Sequence, residues 1–405
     1  MAPSSDKYFL QNSLLKSLYF HESQSCAELS AGMRKSIPVV TRFVNELIEE
    51  GYVVTKGYAP SSGGRRPLNY SLKNDNGFIV AVAMDQLFTR IVILDLANNH
   101  VADAETVELD LHHTVNALEL LAKAIRRYIE KSGITKSKII GVGIGMPGFI
   151  NVGEGINYTF FDQNMKVSHR SFLEKEIGLP VCMDNDSSLT ALAEWMFGPA
   201  RNRKNALIVN IGWGTGLGMI MNGQLFRGDA GYAGEFSHIP LSDNGILCEC
   251  GKRGCLETET SLLIMAQKAV EDIRVGKASS LQLQDVQYMS DIIIASANKG
   301  DQYCIELLTH VGSMLGKGIA ILIHIINPGL IVLSGRGAKA KRILMAPIQQ
   351  ALNQYCIPRL ANNTEILFSE TGEKAGLTGA AALVMEHVSV YKKSTKTSQS
   401  EKSIA

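Results

Sequence analysis

The stretch HIPLSDNGILCECGKRGCLETE, residues 238–259, holds three of the chain's seven cysteines within eight residues. Nine residues separate the first of them from a histidine. His238, Cys248, Cys250 and Cys255 are four soft or borderline donors of the kind that hold tetrahedral Zn²⁺. The Cys-x-Cys step, with Gly251 and Gly254 beside it, lets one tight loop turn three thiolates inward. Four protein ligands leave no open position for water, so such a site is structural rather than hydrolytic. The competing readings are clustered thiols without a metal and a redox pair.

The compartment bears on that choice. The N-terminal MAPSSDKYFLQNS has no apolar core of the signal-peptide kind, and no apolar run approaches the ~20 residues of a membrane span. These features predict a cytoplasmic protein with no membrane partner. An odd cysteine count in a reducing compartment argues against a disulfide framework. Cys26, Cys182, Cys304 and Cys356, scattered outside the cluster, are expected as small buried hydrophobes. A net charge of +1 over 405 residues leaves any nucleic-acid contact to a local patch. Apolar content of 45 % fits a globular chain of two or three domains.

Such a patch is found upstream. Residues 8–20 read as a helix, CAELSAG (26–32) as a second ending at Gly32, and PVVTRFVNELIEE (38–50) as a third. Pro38 suits the first turn of that third helix, Val40, Phe43, Leu47 and Ile48 form its apolar face, and Gly51 is placed to stop it. YVVTKG (52–57), the loop YAPSSGGRRP and LNYSL (68–72) read as a β-hairpin. Residues 1–73 thus have the outline of a winged helix-turn-helix. Ser36, Val39, Thr41 and Arg42 lie at the start or on the outer face of the third helix, where a recognition helix reads base edges. Arg65 and Arg66, beside two glycines, suit a wing entering a narrow minor groove of double-stranded DNA. The alternative is a solvated basic loop on a small protein-interaction domain.

From residue 76 the texture becomes α/β. FIVAVAM (78–84), TRIVILDL (89–96), KIIGVGIGMPG (138–148), LPVCMDND (179–186), NALIVNIGWGTGLGMIM (205–221) and GLIVLSGRG (329–337) read as strands and glycine turns. They alternate with helical periods over 115–131, 187–198, 261–275 and 301–324. VGKASSLQLQDVQ (275–287) reads as a loop and residues 391–405 as a disordered tail. Gly212, Gly214, Gly216 and Gly218 in IGWGTGLG either cradle an anion with backbone N–H groups or supply positive φ to a tight hairpin. Asn185 and Asp186 stand at a strand end before a helix, where ligands tend to bind in α/β sheets. Glu235 and Glu257 flank the cysteine loop. Carboxylates and amides take sugar hydroxyls as partners, and an Asp can act as general base on one. Taken singly, each of these carboxylates reads more simply as a solvated surface charge.

GEFSH…CECGKRGCLE resembles the signature of the ROK family (repressors, open reading frames and sugar kinases). GIGMPG, MDNDSSLTALAEWMFG, NIGWGTGLGMI, IVLSGRGA and AGLTGAA follow in that family's order, so the resemblance spans residues 76–388. SIPVVTRFVNELIEEGYV and SSGGRRP resemble the DNA-binding module of the repressor branch. The resemblance implies an actin/hexokinase-like (ribonuclease H-like) fold of two α/β lobes behind the winged helix-turn-helix. The first lobe would be 76–198 plus 375–390, and the second, with the zinc loop, 199–374. It implies Asn185, Asp186, Glu235, His238 and Glu257 as sugar contacts, Asp186 as the kinases' catalytic base, and a homodimer or homotetramer.

One departure is sharp. The kinases open their first lobe with a pattern like D-x-G-G-T-K, whose turn approaches the ATP phosphates. Here the family's Asp falls on Ala83, its glycines on Asp85 and Gln86, and its Thr on Leu87. Asp85 would repel phosphate and Leu87 has no hydroxyl for Mg²⁺. The expectation is a sugar-responsive transcriptional regulator, a repressor by its resemblance, that binds operator DNA and a sugar or sugar phosphate. The alternative is an ATP- and Mg²⁺-dependent sugar kinase with Asp186 as general base.

Overall fold

The computed structural model describes residues 5–58, 66–243 and 245–387. Arg65 and the tail 391–405 lie outside the described residues.

The N-terminal unit consists of α1 (Ser5–His21), β1 (Gln24–Ser25), α2 (Cys26–Met33), α3 (Ile37–Glu49), β2 (Val53–Tyr58) and β3 (Leu68–Leu72). A capping box starts α2. The Ser25 N–H donates to Glu28 Oε2 at 2.7 Å, and the Glu28 N–H donates back to Ser25 Oγ at 3.3 Å. It is Arg34, at φ 53°, and not Gly32 that ends the helix in the left-handed conformation. Pro38 sits in the first turn of α3 and Gly51, at φ 79°, lies just past its end. Val40, Phe43, Val44 and Leu47 are buried beneath α3, while Ile48 is only partly covered.

Two five-stranded sheets follow. The first contains β4 (Phe78–Met84), β5 (Phe88–Asp95), β6 (Glu105–Glu108), β7 (Ile139–Met146) and β10 (Val181–Asn185) in the order β10-β7-β4-β5-β6. A small hairpin of β8 (Ile150–Asn151) and β9 (Ile156–Asn157) leaves its cleft edge. The second contains β11 (Ala206–Ile211), β12 (Thr215–Met221), β13 (Gln224–Phe226), β14 (Leu330–Ser334) and β15 (Glu365–Phe368) in the order β13-β12-β11-β14-β15. Each sheet is an antiparallel three-strand meander extended by two parallel strands, so one topology occurs twice in the chain.

Helices α4 (Ala117–Ser132) and α5 (His169–Ile177) cover the outer face of the first sheet. The outer face of the second is covered by α7 (Glu257–Thr260), α8 (Leu262–Arg274), α9 (Val286–Asn298), α10 (Gln302–Ile326) and α11 (Arg342–Tyr355), with α12 (Pro358–Ala361) beyond them. The predicted helix 261–275 begins one short turn early, as α7, and breaks at Ser261, whose Oγ caps α8 through the Ile264 N–H. The expected loop 275–287 runs directly into α9, because VQYMSDIIIASAN buries Met289, Ile293 and Ile294. Among the described residues α10 is the one helix long and apolar enough to cross a membrane, and Leu308, Leu315, Ile319 and Ile323 on it are buried in the second-lobe core.

Between the sheets lie α6 (Asp186–Met196) and α13 (Lys374–His387). Helix α13 packs on β4 and β7, and α6 packs on β11, β12 and α13. The approach is close enough to require glycine. A Cβ on Gly379 of α13 would meet the Leu189 carbonyl of α6 at 2.0 Å, and one on Gly143 of β7 would meet the Ala380 carbonyl at 2.0 Å. The buried side chains of α1 and α3 join those of β4, α6 and α13 in a single core, so the N-terminal unit is packed onto the first lobe.

Candidate functional site

The ends of β4, β7, β10 and β11 open into a cleft of about 550 Å³ between the lobes. The cysteine loop forms one lip. Gly251 (φ 81°) and Gly254 (φ 72°) let the chain double back, with the Cys248 N–H donating to Lys252 O at 2.8 Å and the Gly251 N–H to Cys248 O at 2.9 Å. One donor atom from each of His238, Cys248, Cys250 and Cys255 lies within 4.8 Å of the others. His238 Nδ1 is 3.6 Å from Cys248 Sγ, and Cys250 Sγ is 3.6 Å from Cys255 Sγ. Ligands bonded at ~2.0–2.3 Å in a tetrahedron lie roughly 3.5–3.8 Å apart, the spacing of these two pairs, so the donor set is compatible with Zn²⁺. The sulfurs are far beyond the ~2.05 Å of a disulfide, and every described cysteine is free. Burial holds the His238 imidazole below its ordinary pKa, which favours the neutral ring that metals bind. Its other nitrogen, Nε2, lies 3.7 Å from Glu235 Oε2.

The remaining polar candidates converge across the cleft. Asp186 is the first residue of α6 and accepts from the Ser187 N–H at 2.8 Å. Asn210 Nδ2 stands 3.4 Å from its other oxygen. Burial pushes the Asp186 carboxyl up to about 7 against those bonds, and the charges of Asp85 and Glu235 add to the rise. Glu257, the first residue of α7, accepts from the Thr215 N–H at 3.0 Å. Burial pushes it up to about 7 as well. Glu235 is raised by burial too. Asn185 also lines the cleft, but much of its amide is engaged. Its Oδ1 caps α6, accepting from Ser187 and Ser188, and its Nδ2 donates to Gly148 O, which leaves one N–H for a ligand.

The glycine turn does not serve to supply positive φ. Gly212, Gly214, Gly216 and Gly218 are not among the glycines with positive φ. Within the turn, the Thr215 N–H serves Glu257. The reason is space: a Cβ on Gly216 would overlap Ser187 Oγ at 2.0 Å, and one on Gly218 would meet Ala191 Cβ at 2.2 Å. These glycines let α6 lie against β12.

The far half of the cleft differs from a phosphate site. The turn between β4 and β5 is closed by Asp85, whose Oδ1 accepts from Leu87 N at 2.9 Å and Phe88 N at 2.7 Å. Leu87 packs against the core of the second lobe, and the Phe88 ring lies 6.3 Å from that of Tyr288 on α9. Beside this turn is a charge cluster that the sequence reading missed. Glu373, just before α13, pairs with Arg90 of β5 at 2.7 Å, Lys339 at 2.9 Å and Arg336 at 3.4 Å. Arg336 and Lys339 also pair with Asp291 of α9, at 2.8 and 3.0 Å. Arg336 stacks over Trp213, 5.1 Å from the ring centroid. Burial opposes ionisation of Glu373, but the three cations outweigh it and hold its carboxyl below the ordinary range.

On the N-terminal unit, Ser36, Arg42 and Arg66 are exposed and Thr41 is partly so. Val39 is half-buried against the domain core, which leaves less of it for DNA. Ile37 and Asn45 are also exposed, beside Arg42.

The ROK family model matches residues 89–387. The xylose repressor of Caldicellulosiruptor bescii is 28 % identical over 378 residues, 92 % of this chain and 94 % of that protein. The glucokinase of Halalkalibacterium halodurans is 33 % identical over 286 residues, 68 % of this chain and 86 % of that enzyme. Among solved structures, a ROK transcriptional regulator described as a homologue of the Escherichia coli MLC protein shares the fold, with a TM-score of 0.74, 23 % identity, and coverage of 95 % of this chain and 96 % of that one.

Proposed function

The chain belongs to the ROK family, and from that premise we propose that it is a sugar-responsive transcriptional regulator, a cytoplasmic repressor that binds operator DNA. The observation that carries this over a kinase is the β4–β5 turn. Asp85 and Leu87 stand where a kinase needs glycines and a hydroxyl, and the turn is spent on hydrogen bonds to Asp85 and on contacts with the second lobe. The N-terminal unit supports the same reading. It presents Ser36, Thr41, Arg42 and Arg66, and relatives named xylose repressor match nearly the whole chain.

In this proposal Asn185, Asp186, Glu235, His238 and Glu257 take the hydroxyls of a sugar or sugar phosphate. Asp186 and Glu257, held near neutrality by burial, can donate as well as accept. His238, Cys248, Cys250 and Cys255 would hold Zn²⁺, which would supply rigidity: it fixes the loop whose two ends carry Glu235 and Glu257. The same reading takes 1–73 as the DNA-binding domain, 76–198 with 375–390 and 199–374 as the lobes, and a homodimer or homotetramer as the assembly.

The test is DNA affinity for the region upstream of the chain's own coding sequence, with and without D-xylose, N-acetylglucosamine and their phosphates. A sugar-dependent change supports the proposal. Absence of DNA binding under all conditions defeats it.

A further inference from the structure

Two helices begin at the cleft and end at the DNA-binding unit. Helix α6 starts with Asp186 in the cleft, and the residue that closes it, Phe197, lies 6.1 Å from the ring of Phe20 and 5.9 Å from that of Tyr19, both on α1. Helix α13 follows Glu373 and the charge cluster, and Gly376 in its first turn lines the cleft beside Ala83. About 20 Å further on, at ~1.5 Å per residue, its last turn meets α1. Lys16 Nζ donates to the Glu386 carbonyl at 2.5 Å, satisfying one of the orphan acceptors of a helix end. Asp184 of β10 stands close enough to act on Glu386, and so does Arg227, which follows β13 and pairs with Asp184 at 2.5 Å. Both lobes and the DNA-binding unit therefore converge on this end of α13.

We infer that α13 is the coupling rod of the molecule: Glu373 ties its cleft end to both lobes, Lys16 ties its far end to α1, and a change in lobe closure is passed along it to the DNA-binding unit. The geometry supports rigid transmission. Gly379 and Gly143 bring the α13 backbone against α6 and β7 with no room for a single added carbon, and close-packed elements shift as units. Glu373 binds Arg90 from the first lobe and Arg336 and Lys339 from the second. A change in lobe angle must lengthen one set of these pairs or move α13. Lys16 and Glu373 are positioning residues, distant in role from the Asp186–Glu257 group.

This inference rests on the regulator reading above, and one experiment separates the two. DNA affinity is measured with and without D-xylose and N-acetylglucosamine for the full chain and for Glu373→Gln, Lys16→Met and Lys16→Arg. Thermal melts report folding and sugar binding in each. Allosteric coupling of ordinary size changes affinity about 5- to 150-fold. Wild type should show a ratio in that range. Glu373→Gln and Lys16→Met should still bind sugar while the ratio collapses towards one, and Lys16→Arg, which keeps the donor, should retain it. Folded Glu373→Gln and Lys16→Met proteins that keep the wild-type ratio overturn the rod and leave the regulator reading standing. A wild-type protein with no sugar-dependent ratio overturns both. If Glu373→Gln melts too early to assay, Lys16→Met alone decides, since its partner is a backbone carbonyl at a helix end.

Discussion

Asp186 shows how one side chain's surroundings set what it can do. A carboxyl with a folded pKa of about 7 against ~3.9 unfolded binds more protons in the native state than in the unfolded state between those values. Its contribution to stability is therefore greatest at low pH, falls as pH rises through about 4 to 7, and is flat above. Asp186→Asn removes this dependence, so its melting temperature should fall less than that of wild type between pH 5 and pH 8; parallel curves would show that the carboxyl is not displaced. At the metal loop, Cys250→Ser takes one thiolate from the four-donor set. Zinc measured by elemental analysis should drop from stoichiometric to near zero, and the thermal shift with sugar should shrink, because Glu235 and Glu257 lose their common anchor. Zinc that stays bound contradicts the ligand set; a normal sugar shift without zinc contradicts the anchor. The cluster was legible because its four donors lie within a span of 18 residues, close enough for spacing alone to imply convergence. The Glu373 cluster was not, since Arg90 and Glu373 are 283 positions apart and nothing local to either marks a partner. Glu194 was missed for the same reason. This fully buried carboxylate of α6 accepts from Ser334, Ser369 and Thr371, all far away in sequence.

Among the elements, the strands were the most readable. Runs such as FIVAVAM and IIGVGIGM are buried on both faces, and their β-branched composition states it. Sheet order was not readable, because a parallel neighbour is set by a crossover and leaves no mark on the strand itself. Helix α9 was lost because its apolar residues are compressed into DIIIA and follow a polar stretch without period. The glycines stand out in the sequence, but the contacts that require them do not. Their purpose lies in contacts such as Gly216 with Ser187 and Gly379 with Leu189, which sequence spacing does not display. Gly379→Ala follows from this. The added methyl would stand 2.0 Å from the Leu189 carbonyl, so α13 and α6 must part or strain. Overpacking of this kind costs typically 1–3 kcal/mol, against any small gain in helix propensity from Ala over Gly. A lowered denaturation midpoint is the expected result. A variant as stable as wild type would mean that the two helices are less tightly apposed than described, and with them the route from the cleft to α1.

For the molecule as a whole, the structure bears on why a sugar-kinase architecture would be used for regulation. Closing two lobes on a ligand is a motion that either a kinase or a switch can use, and what separates them here is the half of the cleft beside the β4–β5 turn. In phosphoryl transfer the catalyst chiefly positions phosphates and neutralises their charge. The cations that could do so, Arg90, Arg336 and Lys339, are paired with Glu373 and Asp291. The turn that should wrap the phosphates is held by Asp85, with Leu87 against the second-lobe core. ATP entering this half would have to break several ion pairs and approach a carboxylate. MgATP should therefore give no thermal shift, alone or with sugar, and a coupled ADP-release assay over hexoses, pentoses and amino sugars should show no turnover above the protein-free rate. Sugar-dependent ADP release that disappears in Asp186→Asn would reverse the conclusion, since it would show that the general base is served despite the turn. Restoring glycine at Asp85 and Gln86 together should not create a kinase, because the Glu373 and Asp291 pairs would still occupy the cations that the phosphates need.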